Sequence, residues 1–455
     1  MLNFRKDNYT TCKSESTDMN KKYDAIIIGA GVIGACVAFE LSKKGYKTLS
    51  IDKGPEAGYG STSGSCAIIR TYYSAYETCA LAYEGVFYWK DWANYLGVED
   101  EQGLIKYHDT GCLVIKTPHN KYLEEACKTM DRIGCPYDDL SPEDIKAKIP
   151  GVDTRKYEPA KLIADEAFGE PTGGEVPGAI LFQAGGYVSD PKLSAHNAQR
   201  AAEAHGAEFI FKSEITEIRQ ADGRVAGVTL VDGTQIDAGI VVNVGGPHSS
   251  ILNEMAGVKD GMKMSTRALR HEVSHVKAPV EFDYGKGIRE FVYSDSDIST
   301  YARSDVGGNI LLGSEDPECD EQEWVADPDN YNTEFTDQNK TLVMRFAQRL
   351  PSLGIPEQAK GVVALYDVTE DWIPIYDKSD LPGFYMACGT SGNQFKNAPV
   401  AGKMMTAIIE ACESGHDHDA EPVMFELENI GQTISLGTFS RNREINPNSS
   451  FSVIG

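Results

Sequence analysis

Apolar positions along this chain follow two rhythms, and its first ordered stretch shows both. Residues 25–28 are an unbroken apolar run of strand length, the pattern of a central parallel strand buried on both faces. Val32, Ile33, Val37, Ala38 and Leu41 then recur at helical spacing, Gly45 ends that helix, and residues 48–51 form a second short strand. Helical spacing returns over 83–92, 120–133 and 141–149, the last with Ser141 as N-cap, Glu143 in its first turn and Pro150 as its stop. Residues 111–116 read as a strand. At 184–206 a turn leads into an alanine-rich amphipathic helix that Gly206 ends.

Strands resume at 208–218 and 225–231, where Asp232-Gly233 is a hairpin signal, and at 239–244, a buried apolar strand ending in Gly245 and Gly246. Four short β-rich segments, 266–276, 287–293, 299–302 and 309–312, predict an antiparallel sheet inserted as a second domain and carrying substrate contacts. A helix over 339–350 stops at Pro351, 361–368 is a strand, and 384–388 is a last strand running into GTSGNQFKNAP. There Gly389 and Gly392 precede a helix N-terminus, from about Pro399, aimed at something anionic or polar. The pattern predicts an α/β chain in which a discontinuous nucleotide-binding domain, 23–110, 180–255 and 360–412, encloses a substrate domain, 111–179 and 256–359. Residues 1–22 read as a flexible leader and 413–455 as a C-terminal tail whose last part, 446–455, is expected to be poorly ordered.

The turn between the first strand and helix carries Gly29, Gly31 and Gly34, a G-x-G-x-x-G pattern. The first glycine allows a tight turn, the second lets backbone approach a pyrophosphate, and the third lets helix pack closely on strand. The phosphate then meets a helix N-terminus and its partial positive charge. The second strand ends at Asp52, eighteen residues beyond Gly34, where a carboxylate accepts hydrogen bonds from ribose hydroxyls. Together these features predict a Rossmann-like dinucleotide-binding unit. The Gly- and Ser-rich loop that follows Asp52 suits backbone wrapping a bulky cofactor.

Composition narrows the partners. The 455 residues include 43 basic and 68 acidic side chains, a net charge of -25, and no basic block, which argues against nucleic acid. Ten cysteines are scattered without a C-x-x-C pair, which favours reduced thiols in a cytoplasm over disulfides or zinc. The leader lacks an apolar core of signal length and no run approaches eighteen apolar residues, so a soluble, cytoplasmic protein is expected.

The glycine fingerprint with Asp52, the Ser/Gly loop with IIR, the GGYVSDP segment, the strand ending VVNVGGP and the late CGTSGNQFK resemble, in this order, the FAD-dependent D-amino-acid oxidase superfamily. Within it, GSCAIIRTYY and CGTSGNQFKNAP look most like the sarcosine oxidase branch. The resemblance implies FAD and oxidation of a C–H bond beside an amine nitrogen. Carried over, Gly29, Gly31, Gly34 and Asp52 hold ADP, Ser61 and Thr62 lie near the pyrophosphate or flavin, and Ile215 contacts adenine through its backbone. Gly245, Gly389, Gly392 and Asn393 line the flavin, and Ile33, Lys53, Ser63, Gln394 and Lys396 complete the implied cofactor contacts. Arg70 and Lys396 fall at the family's carboxylate-binding positions and Tyr301 near an active-site tyrosine. Residue chemistry alone reads Arg70 as an ordinary ion pair and Lys396 as a solvated loop lysine. His248 and His271 read as site contacts or as packed histidines, Trp372 as core, and Cys36 and Cys388 as structural thiols.

Two positions depart from that branch. Ala364 stands where monomeric sarcosine oxidases bond a cysteine to the flavin, which implies noncovalent FAD. Leu312 stands for a lysine that assists reaction with oxygen, with Arg303 and His271 as possible replacement cations. The expected function is FAD-dependent oxidation of an N-methylated or other secondary amino acid, a primary one standing close behind, with oxygen or another carrier as electron acceptor. The alternatives are a flavin-binding subunit of a multi-subunit amine oxidoreductase and an FAD-dependent 2-hydroxy acid oxidoreductase.

Overall fold

The apolar run at 25–28 lies within strand β1, Lys22–Ile28, which hydrogen-bonds in parallel to β2, Thr48–Ile51, on one side and to β3, Gln235–Asn243, on the other. The computed structural model describes residues 22–118, 120–282, 290–447 and 449–453; the leader lies outside them apart from Lys22. Helix α1, Val32–Lys43, connects β1 to β2 and is buried from Val32 to Ser42, flanked by helices Pro191–Ala204 and Ala398–Glu413. Close approach requires small residues: a Cβ on Gly402 would fall 2.6 Å from the Cys36 carbonyl oxygen. Phe384–Cys388 extends the sheet in parallel from β3.

The stretch 208–218 is not one strand. Glu208–Ile210 pairs in parallel with β2, whereas Ile215–Ala221 forms a hairpin with Arg224–Leu230 at the far edge. The break has a visible cause: Lys212 adopts φ 55°, its amide donates to Gly54 O at 2.8 Å, and the Ser213 amide donates to Asp52 O at 3.1 Å. The turn that splits the strand thus closes over the loop after β2.

A second sheet, of nine strands among the described residues, carries β4, Arg267–Lys277, β5, Thr300–Asp305, β6, Asn309–Ser314, and β7, Gly361–Val368. It is antiparallel except where Val292–Asp295 pairs with Cys112–Ile115. The predicted strand at 287–293 is seen from Val292; its residues 287–289 lie outside the described ones. Sequence boundaries at 180 and 360 place Ala179–Phe182 and β7 largely with the nucleotide unit, but both belong to this second sheet, since long-range pairing leaves no local mark in an apolar run. One face packs on helix α2, Asp337–Arg349, through Leu342 and Phe346. The opposite face, with Val273 and Tyr301, meets the loop after β2 at Cys66 and Ile68.

The helix predicted at 83–92 begins earlier, spanning Tyr76–Lys90, because Thr78, Cys79, Ala80, Leu81 and Ala82 are all buried and erase the amphipathic signal. Residues 446–455 do not behave as a loose tail where described: Ser449 and Val453 are buried. Tertiary contacts offset a composition that offers little local preference.

Candidate active site

At the β1–α1 turn the three glycines have distinct spatial reasons. Gly29 sits at φ 108°, and a Cβ there would lie 2.3 Å from Val244 O; a Cβ on Gly34 would lie 2.1 Å from Gly29 O. A Cβ on Gly31, by contrast, would meet only Thr62 Oγ1, at 3.1 Å, so the backbone stands open on that side. Thr62 Oγ1 accepts from the Val32 amide at 3.1 Å, at the positive end of α1. Asp52 accepts from the Ala30 amide at 2.7 Å through one oxygen and from the Gly54 amide at 2.7 Å through the other. Those bonds fix the carboxylate, and its remaining lone pairs can take hydroxyl donors.

The other implied contacts fall into two groups. Ser61 Oγ donates to Leu365 O at 2.7 Å, tying the loop to β7, and Ile215 begins its strand two residues past the turn on Asp52. Ser63 instead spends its hydroxyl on Tyr59 O and Gly60 O, Lys53 contacts His248 and Asp329 at the surface, and Gln394 is bound internally by Tyr376 and Asn397. Ile33 is buried in the first turn of α1. Gly245 sits at the end of β3, where a Cβ would lie 2.6 Å from Leu252 Cδ1. Gly389 and Gly392 have φ 65° and 68°, and a Cβ on Gly392 would lie 2.5 Å from the Tyr366 ring.

Arg70 and Lys396, 326 positions apart in the chain, converge on Tyr73. The Arg70 guanidinium lies 4.1 Å from the ring centroid, and Lys396 Nζ donates to the Tyr73 hydroxyl at 3.0 Å. Lys396 Nζ also donates to Asn393 O at 2.7 Å, and Tyr73 donates to the same oxygen at 2.6 Å. The lysine is held from behind as well, because Trp89 Nε1 donates to Lys396 O at 2.7 Å. Burial and, next, the Arg70 charge push the Lys396 ammonium well below the usual lysine range. Arg70 itself donates to Tyr72 O and, at 2.9 Å, to Val453 O.

Across Gly392 lies a tyrosine pair. Tyr301 Oη is 3.4 Å from Tyr366 Oη, and Cys66 Sγ lies 3.8 Å from Tyr301 Oη. His271 stacks on Tyr366 with ring centroids 4.2 Å apart. Its Nε2 is 3.6 Å from Asp316 Oδ2, and neither atom has a hydrogen-bond partner among the described residues. Burial and then Arg270 push His271 down to about 4, while burial and neighbouring acids push Asp316 up to about 8. Tyr73, Tyr366, Cys66 and Asp316 were not singled out from sequence as site residues, because tyrosines and buried acids carry no motif there.

Residues 24–408 match the family described as DAO, FAD dependent oxidoreductase. The chain belongs to this family. It is similar to the sarcosine oxidase subunit beta of Rhodobacter capsulatus, 26% identical over 404 residues, covering 87% of this chain and 86% of that protein. It is also similar to the glycine oxidase of Geobacillus kaustophilus, 25% identical over 423 residues and covering 88% and 96%. The fold matches the solved L-proline dehydrogenase from P. horikoshii with a TM-score of 0.72 at 20% identity, over 92% of this chain and 97% of that one. The cradle fits the family's FAD: the open backbone at Gly31, the α1 N-terminus and the fixed Asp52 carboxylate offer what a pyrophosphate and a ribose require.

Within this family frame one sequence assignment shifts by a residue. Leu312 points away from the site and is fully buried with Val276, Tyr293 and Phe346, on the α2 face of the sheet. Leu311 is the β6 side chain that packs with Cys66, Val273 and Tyr301. Strand side chains alternate, so a one-residue slip exchanges the faces. Neither residue is a cation. Arg303 shares the site face but is committed to Cys66 O, Ser304 O and Asp305 Oδ1, the last at 2.9 Å. Ala364 meets the Ser/Gly loop, where a Cβ on Gly64 would approach its own Cβ to 2.9 Å. Trp372, Cys36 and Cys388 are core residues, and no helix among the described residues is long and apolar enough to cross a membrane.

Proposed function

We propose that this flavoprotein oxidises an amino acid, N-methylated or otherwise secondary in the first instance, at the C–H bond beside its nitrogen. The supporting observation is the convergence of Arg70 and Lys396 on Tyr73 at the flavin-facing loop 389–393, where a substrate carboxylate would be anchored by one planar fork and one amine. The names of its relatives, sarcosine, glycine and proline enzymes, favour the same substrate class. FAD, when bound, supplies the hydride acceptor, and the resulting imine is hydrolysed by water. The chain's own part is placement: anchoring the carboxylate fixes which C–H faces the flavin, while the neutral Tyr301–Tyr366 pair forms the polar wall on the second sheet. Anaerobic flavin bleaching across secondary amino acids, primary amino acids, decarboxylated amines and 2-hydroxy acids tests this reading; bleaching by hydroxy acids and not amines would overturn it.

The likeness to a sarcosine oxidase beta subunit supports a second reading, a flavin-binding subunit that needs a partner. It predicts turnover that appears only when a partner protein is supplied, although bleaching by the substrate persists without one.

Two outcomes follow for the flavin. Acid precipitation is expected to release it, since Ala364 offers no sulfur for a bond; yellow colour retained in the washed pellet contradicts this. The reduced flavin is expected to react slowly with oxygen, because among the described residues the cation on that face, Arg303, is already committed and Leu311 offers none to stabilise superoxide as it forms. Leu311→Lys should speed reoxidation in stopped-flow mixing with aerated buffer without changing the rate of flavin reduction. Leu312→Lys would instead bury a charge in the α2 core and lower the melting temperature.

A further inference from the structure

Residues 449–453 return to the carboxylate anchor. Ser449 Oγ donates to Asp371 O at 2.5 Å, which fixes the start of the segment on the turn after β7. Arg443 holds that turn in place, bonding both oxygens of Asp371 at 2.7 and 2.9 Å. Val453 then buries its side chain in the main core, and its carbonyl takes Arg70 Nη2 at 2.9 Å, across 383 residues of chain. A peptide carbonyl therefore stands where the proposed substrate would place a carboxylate oxygen.

The exchange is chemically directed. A carbonyl is a neutral acceptor with one oxygen, whereas a carboxylate is charged and can engage both arms of a guanidinium, adding a second parallel hydrogen bond and the attraction of opposite charges. The segment is anchored at both ends, Ser449 on Asp371 O and Val453 in the core and on Arg70, while Phe451 between them is exposed at φ 49°. We infer that residues 449–453 act as a built-in competitor for the carboxylate site, engaging Arg70 in the resting protein and withdrawing when a substrate carboxylate arrives. This inference rests on Arg70 being the carboxylate anchor. Apparent substrate affinity is then reduced by the fraction of molecules in which the segment is seated, and the segment keeps a buried guanidinium bonded between turnovers.

The test compares the full-length holoenzyme with a chain stopped after residue 447 and with Ser449→Ala, titrating each with acetate and following the flavin absorbance. The stopped chain should bind acetate about tenfold more tightly, the scale expected for losing one hydrogen bond between the charged guanidinium and a neutral competitor, with Ser449→Ala in between. A synthetic peptide of residues 446–455 should compete with acetate in the stopped chain. Unchanged affinity with FAD content and melting temperature retained overturns the inference, and weaker acetate binding shows that the segment is a wall of the site. Adding Arg70→Met to the stopped chain separates the two levels: if acetate affinity does not fall, Arg70 is not the anchor, whatever the segment does.

Discussion

Arg70→Met is expected to weaken carboxylate binding by about tenfold to a hundredfold while FAD stays bound. Arg70 is buried and its guanidinium lies against Tyr72 and Tyr73, at 4.9 and 4.1 Å from their ring centroids, so the substitution keeps an apolar stem in an aromatic setting. What it removes is a charge-assisted bond to a buried carboxylate, about 1.5 to 3 kcal/mol. FAD should be spared, because the residues fitted to ADP lie on the β1–α1 turn and at Asp52. The measurement is acetate affinity by flavin absorbance beside FAD content after release. Arg70→Lys should recover little of the loss, since an ammonium cannot reproduce the planar fork. Equal oxidation of amino acids and their decarboxylated amines would show that no carboxylate is being held.

The nucleotide unit was legible because every part of it leaves a local mark: an apolar strand, three glycines, a helix and a terminal acid fall within thirty residues. Arg70 and Lys396 were legible only through resemblance, since neither IIR nor NQFK says that both reach one tyrosine ring. Tyr73 itself is silent in the sequence, being one of three tyrosines in the TYYSAY stretch. The slip from Leu311 to Leu312 shows a sharper limit. In NILLG both candidates are leucines, and the face each occupies depends on register with β5, where Tyr301 opposes Gly313 and Ala302 opposes Leu312. The segment 449–453 was least legible: its composition suits disorder, and its order comes from Asp371 and Arg70, far away in sequence.

Lys396 is expected to couple carboxylate binding to the uptake of one proton. Its amine is buried, its hydrogen-bond acceptors are the neutral Tyr73 hydroxyl and the Asn393 carbonyl, and no carboxylate forms an ion pair with it among the described residues. Burial first and Arg70 second disfavour its charged form, while the Cys112 thiol acts the other way. A bound carboxylate supplies the missing anion and raises the Lys396 pKa back toward its ordinary value. The sign follows directly. Between the depressed value of the free protein and the higher value of the complex, the complex holds one more proton, so acetate binding weakens by up to about tenfold per pH unit as pH rises. Below that window the lysine is charged in both states and the affinity is flat. Stability carries the matching signature without ligand: the unfolded chain binds the proton more readily, so the melting temperature should rise with pH across the range in which Lys396 is neutral only when folded. Lys396→Met should abolish both slopes. Arg70→Met should weaken acetate yet move the window to higher pH, because removing the neighbouring cation lets Lys396 hold its proton longer. Acetate affinity that is flat with pH in the parent protein, with Arg70→Met still impaired, would mean that the carboxylate rests on the guanidinium alone and that Lys396 serves to pin Tyr73 and the 393 turn.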